Sequence, residues 1–295
     1  MKILVIGHTV VDKIHFNNNL ETKPGGIYFS LLGFLYSGLN LDIDLLTSVT
    51  KEDYKLFSEV FSKVNFIGNP FSEKMPVNHL IVKEDEEREE NYEYIPSSLN
   101  VNNITDFSIY DGVFINMVSG FEIEINDLYY IRQNFQGPIY IDIHTLSRGV
   151  DKNNHRYFRA IPHAEVWYGN VDFLQANESE ILTLGENQTK NEIVDNILSL
   201  GTKGVIVTNG EKGAEIYFVE SEKKTFATEY QSLISPVPCV GCGDFFGASF
   251  FMYWLTQHDL QDSLKVAEYS ARLFANHGKN LSLIKKELDE KFNKQ

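Results

Sequence analysis

The sequence predicts an α/β fold in which a mostly parallel β-sheet lies between layers of helices. Short apolar runs alternate along the 295-residue chain with longer stretches of helical periodicity. The strand candidates are almost continuous in Val, Ile, Leu and Phe, which is typical of parallel strands that are covered on both faces. These candidates are Ile3–Ile6, Gly112–Ile115, Ile139–Ile143, Asp172–Leu174 and Val205–Thr208.

Helix candidates separate these strands, and several have an apolar face. Ile193, Ile197 and Leu198, for example, lie on one side of a predicted helix. The helix candidates are Ile27–Ser37, Ile125–Asn134, Glu178–Leu184, Asn191–Leu200, Phe245–Leu255, Leu260–Ala275 and Leu283–Phe292. The alternation of strands and helices favours parallel pairing with helical crossovers.

Two segments, at about residues 13–24 and 76–96, break this alternation. The second segment contains two strand-like pieces that flank Glu84–Glu90, a stretch of six acids and one arginine. The simpler interpretation of this stretch is a solvated hairpin tip. Alternatively, both segments are strands of a small flap over the main sheet, which would suit an active-site lid.

Charge and composition disfavour several classes of function. With 26 Lys and Arg against 41 Asp and Glu, the chain has a net charge of −15, so we expect neither nucleic acid nor a membrane surface as a partner. The longest uncharged apolar stretch, Phe245–Leu255, is far shorter than the ~20 residues of a membrane span. Two cysteines cannot build a disulfide framework, and no signal peptide is evident, so we expect a cytoplasmic protein.

The densest motif is the stretch from Pro238 to Ser249. Gly241 and Gly243 allow a tight turn, and the apolar helical run that follows places their N–H groups at a helix N-terminus, where an anion is favoured. Neither a dinucleotide fingerprint nor a P-loop fits the spacing. Asp244 is either a helix cap or, beside such an anion site, a base that accepts a proton from an attacking hydroxyl.

Three further motifs follow or precede predicted elements. Asn177 and Glu180 lie one turn apart at a helix start, where they either cap the helix or hold Mg²⁺ through water. The run Thr208–Gly213 predicts at least a turn after a strand. Gly25 and Gly26 precede a helix and would let a ligand approach the backbone closely.

Taken together and in this order, these motifs resemble those of the ribokinase-like (PfkB) carbohydrate kinase family. The resemblance extends from residue 5 to about residue 278 and therefore covers nearly the whole chain. One matching patch is Gly7–Asp12, which looks like the family's first strand and its substrate-binding aspartate. The other patches are Gly25-Gly26 with the helix after them, Lys83–Arg88, Asn177 with Glu180, Thr208 with Gly210 and Gly213, and Gly241–Asp244.

The resemblance implies a three-layer α/β/α ribokinase-like fold, with a mostly parallel central sheet and a small β lid. It implies one domain over residues 1–295, with the lid in the two segments named above. It also implies an ATP- and Mg²⁺-dependent kinase that transfers the γ-phosphoryl group to a hydroxyl of a sugar, nucleoside or related small polyol. A monovalent cation and a homodimer formed through the lid are left open.

The resemblance also implies a role for each matching residue. Asp244 would be the catalytic base, and the amides of Gly241, Cys242 and Gly243 would form the anion hole. The nucleotide would lie against Asn177, Glu180, Thr208, Gly210, Gly213 and His277, with Mg²⁺ held by Glu180 and Asn177 through water. The acceptor would lie against Asp12, Gly25, Gly26 and Ser30.

Two departures from the family pattern keep alternatives open. Pro238-Cys239-Val240 replaces the usual Asp-Thr-x, and Ser30 replaces a common asparagine. One alternative is therefore a protein of the same fold that binds a nucleotide or sugar but is impaired in catalysis. Another is a redox switch, because Cys239 and Cys242 form a Cys-x-x-Cys motif at a helix start. The simpler interpretation of the cysteines is that they fill space.

Overall fold

The structure is a computed structural model that describes residues 1–16, 19–36, 40–81, 89–228, 240–278 and 280–292. The strands in these ranges are β1 (Lys2–Ile6), β2 (Thr9–Phe16), β3 (Asn19–Gly26), β4 (Asp42–Leu46), β5 (Asn65–Phe66), β6 (Val77–Ile81), β7 (Glu89–Tyr92), β8 (Gly112–Asn116), β9 (Ile139–Asp142), β10 (Arg148–Val150), β11 (Arg156–Phe158), β12 (Phe173–Asn177), β13 (Gly204–Thr208), β14 (Ala214–Val219) and β15 (Lys223–Thr228).

The helices in the described part of the chain alternate with many of these strands. They are α1 (Ile27–Tyr36), α2 (Ser58–Phe61), α3 (Ile125–Asn134), α4 (Ala164–Tyr168), α5 (Glu178–Ile181), α6 (Lys190–Ser199), α7 (Cys242–Gln257), α8 (Leu260–His277) and α9 (Leu281–Phe292). Helix α7 begins three residues before the predicted Phe245, because Gly241 takes a left-handed conformation and starts the helix there. No helix in these ranges is both long enough and apolar enough to cross a bilayer.

The central sheet has nine strands in the order β15-β14-β13-β12-β9-β8-β1-β4-β5. Neighbouring strands from β13 to β5 pair in parallel, whereas β13, β14 and β15 pair antiparallel. All five predicted strands are therefore present and adjacent in the mostly parallel sheet that the sequence predicts. The carboxyl ends of β8, β9, β12 and β13 consequently meet at one edge.

Alternate side chains of the central strands enter two separate hydrophobic cores. Ile3 and Val5 pack with residues of α1, α7 and α8, whereas Leu4 and Ile6 pack with residues of α3 and α6. This alternation follows from the two-residue period of a strand, and both faces are apolar because both are covered by helices. The predicted three-layer α/β/α arrangement is confirmed.

A second, four-stranded sheet has the order β3-β2-β6-β7 and contains both segments that interrupt the sequence pattern. Asp12 lies on β2 of this sheet, so our assignment of residues 7–12 to the first strand was wrong. Strand β1 ends at Ile6, before Gly7, which packs against the side chain of Ile27. Residues 82–88, which include the matching patch Lys83–Arg88 and most of the predicted acidic tip, lie outside the described residues, but Glu90 belongs to β7 and is only 4% exposed.

Candidate active site

A cavity of about 610 Å³ lies between the small sheet and the carboxyl ends of the central strands. Its walls come from β2, β6 and β7 on one side and from the ends of β9, β12 and β13 on the other, with the start of α7 between them. Open α/β sheets bind ligands at this edge, because the loops after parallel strands diverge there.

The start of α7 provides backbone N–H groups to the cavity. Gly241 has φ +86° and no side chain that could cap the helix, and a Cβ atom there would lie 2.1 Å from Cγ of Phe29. At Gly243 the nearest atom to an added Cβ is Nε2 of Gln175 at 3.8 Å, so the backbone is accessible. The first-turn N–H groups have no partner within the helix and carry the positive end of its dipole, so they suit an anion.

Asp244 lies in this first turn, lines the cavity and is 8% exposed. Nδ2 of Asn116 donates to Oδ1 of Asp244 at 2.6 Å and to Oγ of Ser30 at 2.9 Å. We did not predict Asn116 from the sequence. The available signal was a polar residue that ends an apolar strand at the carboxyl edge of the sheet.

A second carboxylate, Asp142, lines the same cavity at the end of β9. Nε2 of Gln175 donates to Oδ2 of Asp142 at 2.8 Å, and the backbone N–H of His144 donates to Oδ1 at 3.2 Å. Burial raises the pKa of the Asp142 carboxyl well above its usual range, and the charges of Glu180 and Asp244 raise it further. Three carboxyl groups therefore lie close enough on this side of the cavity to repel one another when they are ionised.

Asn177 and Glu180 form a capping box at the start of α5. Oδ1 of Asn177 accepts hydrogen bonds from the N–H groups of Ser179 and Glu180, and Oε2 of Glu180 accepts one from the N–H of Asn177 at 2.8 Å. Helix capping is therefore present, and both residues also line the cavity.

The donor set is suited to a hard cation. Asp142, Glu180 and Asp244 are buried carboxylates on one cavity wall, and a divalent cation would offset the repulsion that raises the pKa of Asp142. Within the described ranges, no three His, Cys, Asp or Glu side chains are placed to hold a metal together. The arrangement fits Mg²⁺ that retains several waters.

Thr208, Gly210 and Gly213 line the cavity at the end of β13. Gly210 and Gly213 have positive φ angles of +51° and +93°, and a Cβ atom at Gly213 would lie 2.2 Å from the carbonyl oxygen of Thr228. Glu268 and Arg272 of α8 line the cavity as well. The predicted glycine turn is therefore compact and faces the cavity.

Asp12 and Gly26 line the cavity from the small sheet. A Cβ atom at Gly25 would lie 1.9 Å from Oδ2 of Asp12, so the absence of a side chain at Gly25 makes room for this carboxylate. Asn78, Glu90 and Tyr92 line the same wall, and we did not predict them, because polar residues on a short strand carry no motif.

Three predicted site residues are not among the described residues that line the cavity: Gly25, Ser30 and His277. Gly25 packs against Asp12, and Ser30 is completely buried behind Asn116. The imidazole of His277 lies 3.3 Å from the carboxylate of Glu287, at the end of α8. Pro238 and Cys239 lie outside the described residues, so the redox switch stays a prediction.

Comparisons with known proteins agree with this fold. The family model described as pfkB family carbohydrate kinase matches residues 151–283. A comparison with curated proteins gave no match. Many solved structures are similar, at identities that are informative about the fold alone.

One similar structure is a pyrophosphate-dependent kinase in the ribokinase family, complexed with a pyrophosphate analog and myo-inositol (TM-score 0.81, 17% identity, 98% of this chain and 100% of that chain). Another is described as a ribokinase II from E. coli in complex with ATP and Mg²⁺ (TM-score 0.73, 17% identity, 98% and 99%). A third is ribokinase from Cryptococcus neoformans in complex with ADP (TM-score 0.72, 16% identity, 98% and 99%). The resemblance predicted from the sequence is thereby confirmed: residues 151–283 match the pfkB family carbohydrate kinase model, and the chain has the ribokinase-like fold over nearly its whole length.

Proposed function

We propose that the protein is an ATP-dependent kinase that transfers the γ-phosphoryl group to a hydroxyl of a sugar, nucleoside or related small polyol. The observation that supports this most directly is the placement of Asp244. Its buried carboxylate lies in the first turn of α7, beside accessible backbone amides and in the same cavity as Asp12. A candidate base, a candidate anion site and a candidate acceptor-binding carboxylate thus line one cavity.

In the proposed mechanism, Asp244 accepts the proton of the acceptor hydroxyl as the hydroxyl oxygen attacks the γ-phosphorus, and the bond from that phosphorus to the β–γ bridging oxygen breaks, so that ADP leaves. The amides of Gly241, Cys242 and Gly243 donate to the oxygens of the transferring group, where negative charge is concentrated. Because these donors are fixed by the helix, they need no reorganisation during the reaction. Positioning and charge stabilisation supply most of the rate enhancement in phosphoryl transfer.

The two substrates would occupy opposite parts of the cavity. Asp12 accepts hydrogen bonds from acceptor hydroxyls, and Gly25 and Gly26 keep the backbone around it compact. The nucleotide lies against the glycine turn that contains Gly210 and Gly213. Mg²⁺, when bound, would neutralise phosphate charge, and Glu180 and Asn177 would be the residues that hold it through water. A monovalent cation requirement and a homodimer formed through the lid stay predictions.

Pyrophosphate is a second candidate donor. Arg272 lines the cavity from α8, and the carbonyl oxygen of the preceding residue, Ala271, lies 3.8 Å from Sγ of Cys242 at the start of α7. Arg272 therefore lines the same cavity as the proposed anion site, and a guanidinium binds compact phosphate groups well. One of the similar structures is itself described as pyrophosphate-dependent.

The test is a transfer assay with Mg·ATP and, in parallel, Mg·pyrophosphate against sugars, sugar phosphates, nucleosides and cyclic polyols. We expect one donor and acceptor pair to give product, and we expect Asp244→Asn to lower kcat by several orders of magnitude with donor binding retained. A variant with nearly full kcat would contradict the role of Asp244. If ATP raises the Tm but no acceptor is phosphorylated, the alternative of a catalytically impaired nucleotide- or sugar-binding protein is favoured.

A further inference from the structure

We propose that Asn116 is a positioning residue that holds the carboxylate of Asp244 with Oδ2 directed to the acceptor hydroxyl. This inference rests on the proposed kinase function and adds a residue to which neither the sequence motifs nor the comparisons assign a role. Asn116 is the last residue of β8 and is completely buried, as is Ser30.

The hydrogen bonds fix the orientation of the Asn116 amide. Ionised Asp244 can only accept, so the group 2.6 Å from its Oδ1 must be the NH₂ of Asn116 and not the carbonyl. The second N–H of the same NH₂ group points to Oγ of Ser30 at 2.9 Å. Both N–H groups are therefore used, and the side chain is held from two helices, α1 and α7.

The backbone of Asn116 is held as firmly as its side chain. Asn116 lies opposite Asp142 in the parallel pairing of β8 with β9, and the next N–H, of Met117, donates to the carbonyl oxygen of Asp142 at 3.0 Å. A donor on a central strand cannot follow a shift of Asp244, so it defines where that carboxylate rests.

This contact distinguishes the two oxygens of Asp244. Oδ1 accepts from Asn116, whereas no hydrogen bond among the described residues uses Oδ2. Asp244 lines the cavity, so Oδ2 is the oxygen left to receive the acceptor proton. A base held in one rotamer keeps the reacting atoms aligned, and misplacement by about 1 Å can lower the rate ~100-fold.

The test compares Asn116→Leu, Ser30→Ala and the double variant with the wild type, using the donor and acceptor pair found above. Asn116→Leu should lower kcat about 30- to 100-fold with both KM values within about 3-fold, because ground-state contacts to either substrate are unaffected. Ser30→Ala should lower kcat less. In the Asn116→Leu background, Ser30→Ala should cause no further loss of kcat, since Ser30 acts through Asn116.

Ser263→Ala is the matched control, because Ser263 is equally buried but lies on α8, away from the cavity. Asn116→Ser replaces the leucine variant if that variant does not fold, as judged by its Tm. Unchanged kcat in the Asn116 variant that folds would overturn the inference, and so would additive losses when that variant is combined with Ser30→Ala. Absence of transfer by the wild type from either donor would instead refute the proposed function and, with it, this role.

Discussion

Gln175 donates a hydrogen bond from Nε2 to Oδ2 of Asp142 at 2.8 Å, and the same nitrogen lies 3.1 Å from the carbonyl oxygen of Gly243. One side-chain amide thus links the end of β9 to the first turn of α7. Asp142 is only 3% exposed, and its raised pKa reflects burial first and the charges of Glu180 and Asp244 second. The carboxylates on the wall that would hold the metal therefore repel one another when no cation is bound.

Asp142→Asn should stabilise the ion-free protein at neutral and higher pH. Because the pKa of Asp142 is higher in the folded than in the unfolded state, folding takes up a proton, and this contribution is lost as the pH rises from about 4 through the folded pKa. Asparagine mimics the neutral acid, so the Tm difference between variant and wild type should grow with pH. Mg²⁺ should reduce this Tm difference, because it should stabilise the wild type more than the Asp142→Asn variant.

Asp106→Asn is the control for this experiment. Asp106 is fully exposed, and the hydroxyl and N–H of Ser108 lower the pKa of its carboxyl. The pH dependence of the Tm difference for Asp106→Asn should therefore have the opposite sign to that for Asp142→Asn, and the Tm difference should be small. If Asp142→Asn lowered the Tm at pH 8, or if the Tm difference were independent of pH, the proposed charge repulsion at this wall would be wrong.

Gly25→Ala should weaken acceptor binding without a direct contact to the acceptor. The new methyl group would lie 1.9 Å from Oδ2 of Asp12, so the carboxylate must move. We expect the acceptor KM to rise at least 10-fold, which corresponds to about 1.4 kcal/mol, with the donor KM unchanged. Gly25→Ala should add little in an Asp12→Ala background; full additivity would show that Gly25 acts elsewhere.

The sequence predicted the central sheet and the loop-and-helix motifs well because their signals are local. Continuous apolar runs identify β8, β9 and β13, and the glycines before α7 identify its start. The helix start at Gly241 can be predicted without knowledge of tertiary contacts. A Gly-x-Gly turn before an apolar helix is sufficient to predict a helix N-terminus that suits an anion.

The residues that the sequence did not reveal depend on long-range contacts. Asn116 reaches Asp244 across 128 positions and Ser30 across 86, so no window of sequence contains the pair. Asp12 was assigned to the wrong sheet, because the two residues between β1 and β2 give no sign that the chain enters a second sheet. Asn78 and Tyr92 became candidates only when the pairing of β6 with β2 and β7 placed them beside Asp12.

Asn78→Leu should stabilise the protein and weaken binding of the acceptor. Asn78 pairs with Asp12 in the register of β2 and β6, lines the cavity and is 5% exposed, and its Oδ1 has no partner in the part of the chain that the structure describes. Removing an unsatisfied buried acceptor should raise the free energy of unfolding by about 1 kcal/mol. The acceptor KM should rise, because an acceptor hydroxyl would satisfy that oxygen.

Asn91→Leu is the comparison for Asn78→Leu. Asn91 is the neighbour of Tyr92 on β7 and pairs with His79, so it faces away from the cavity. Its substitution should leave the acceptor KM unchanged. A loss of stability in Asn78→Leu, with an unchanged acceptor KM, would show that Asn78 has a structural role only.

Glu122→Gln tests the buried polar cluster behind the carboxyl end of β8. The Glu122 carboxylate accepts hydrogen bonds from the N–H groups of Ser119, Gly120 and Phe121 and lies 3.3 Å from Nδ1 of His8, and both Glu122 and His8 are completely buried. Burial raises the pKa of this carboxyl, but the contacts with His8 and with the backbone N–H groups outweigh that effect, so the pKa is lowered.

Because the folded pKa of Glu122 is below the unfolded one, its contribution is present at neutral pH and is lost as the pH falls through the folded pKa. A glutamine must turn its NH₂ towards N–H groups that now donate to the carboxylate, which leaves buried donors without an acceptor, so we expect a loss of about 3 kcal/mol at pH 7. In urea titrations, the difference in the free energy of unfolding between Glu122→Gln and the wild type should decrease at acidic pH. The exposed control Glu186→Gln should change the midpoint little; an equally small effect of Glu122→Gln would mean that the cluster does not stabilise the fold.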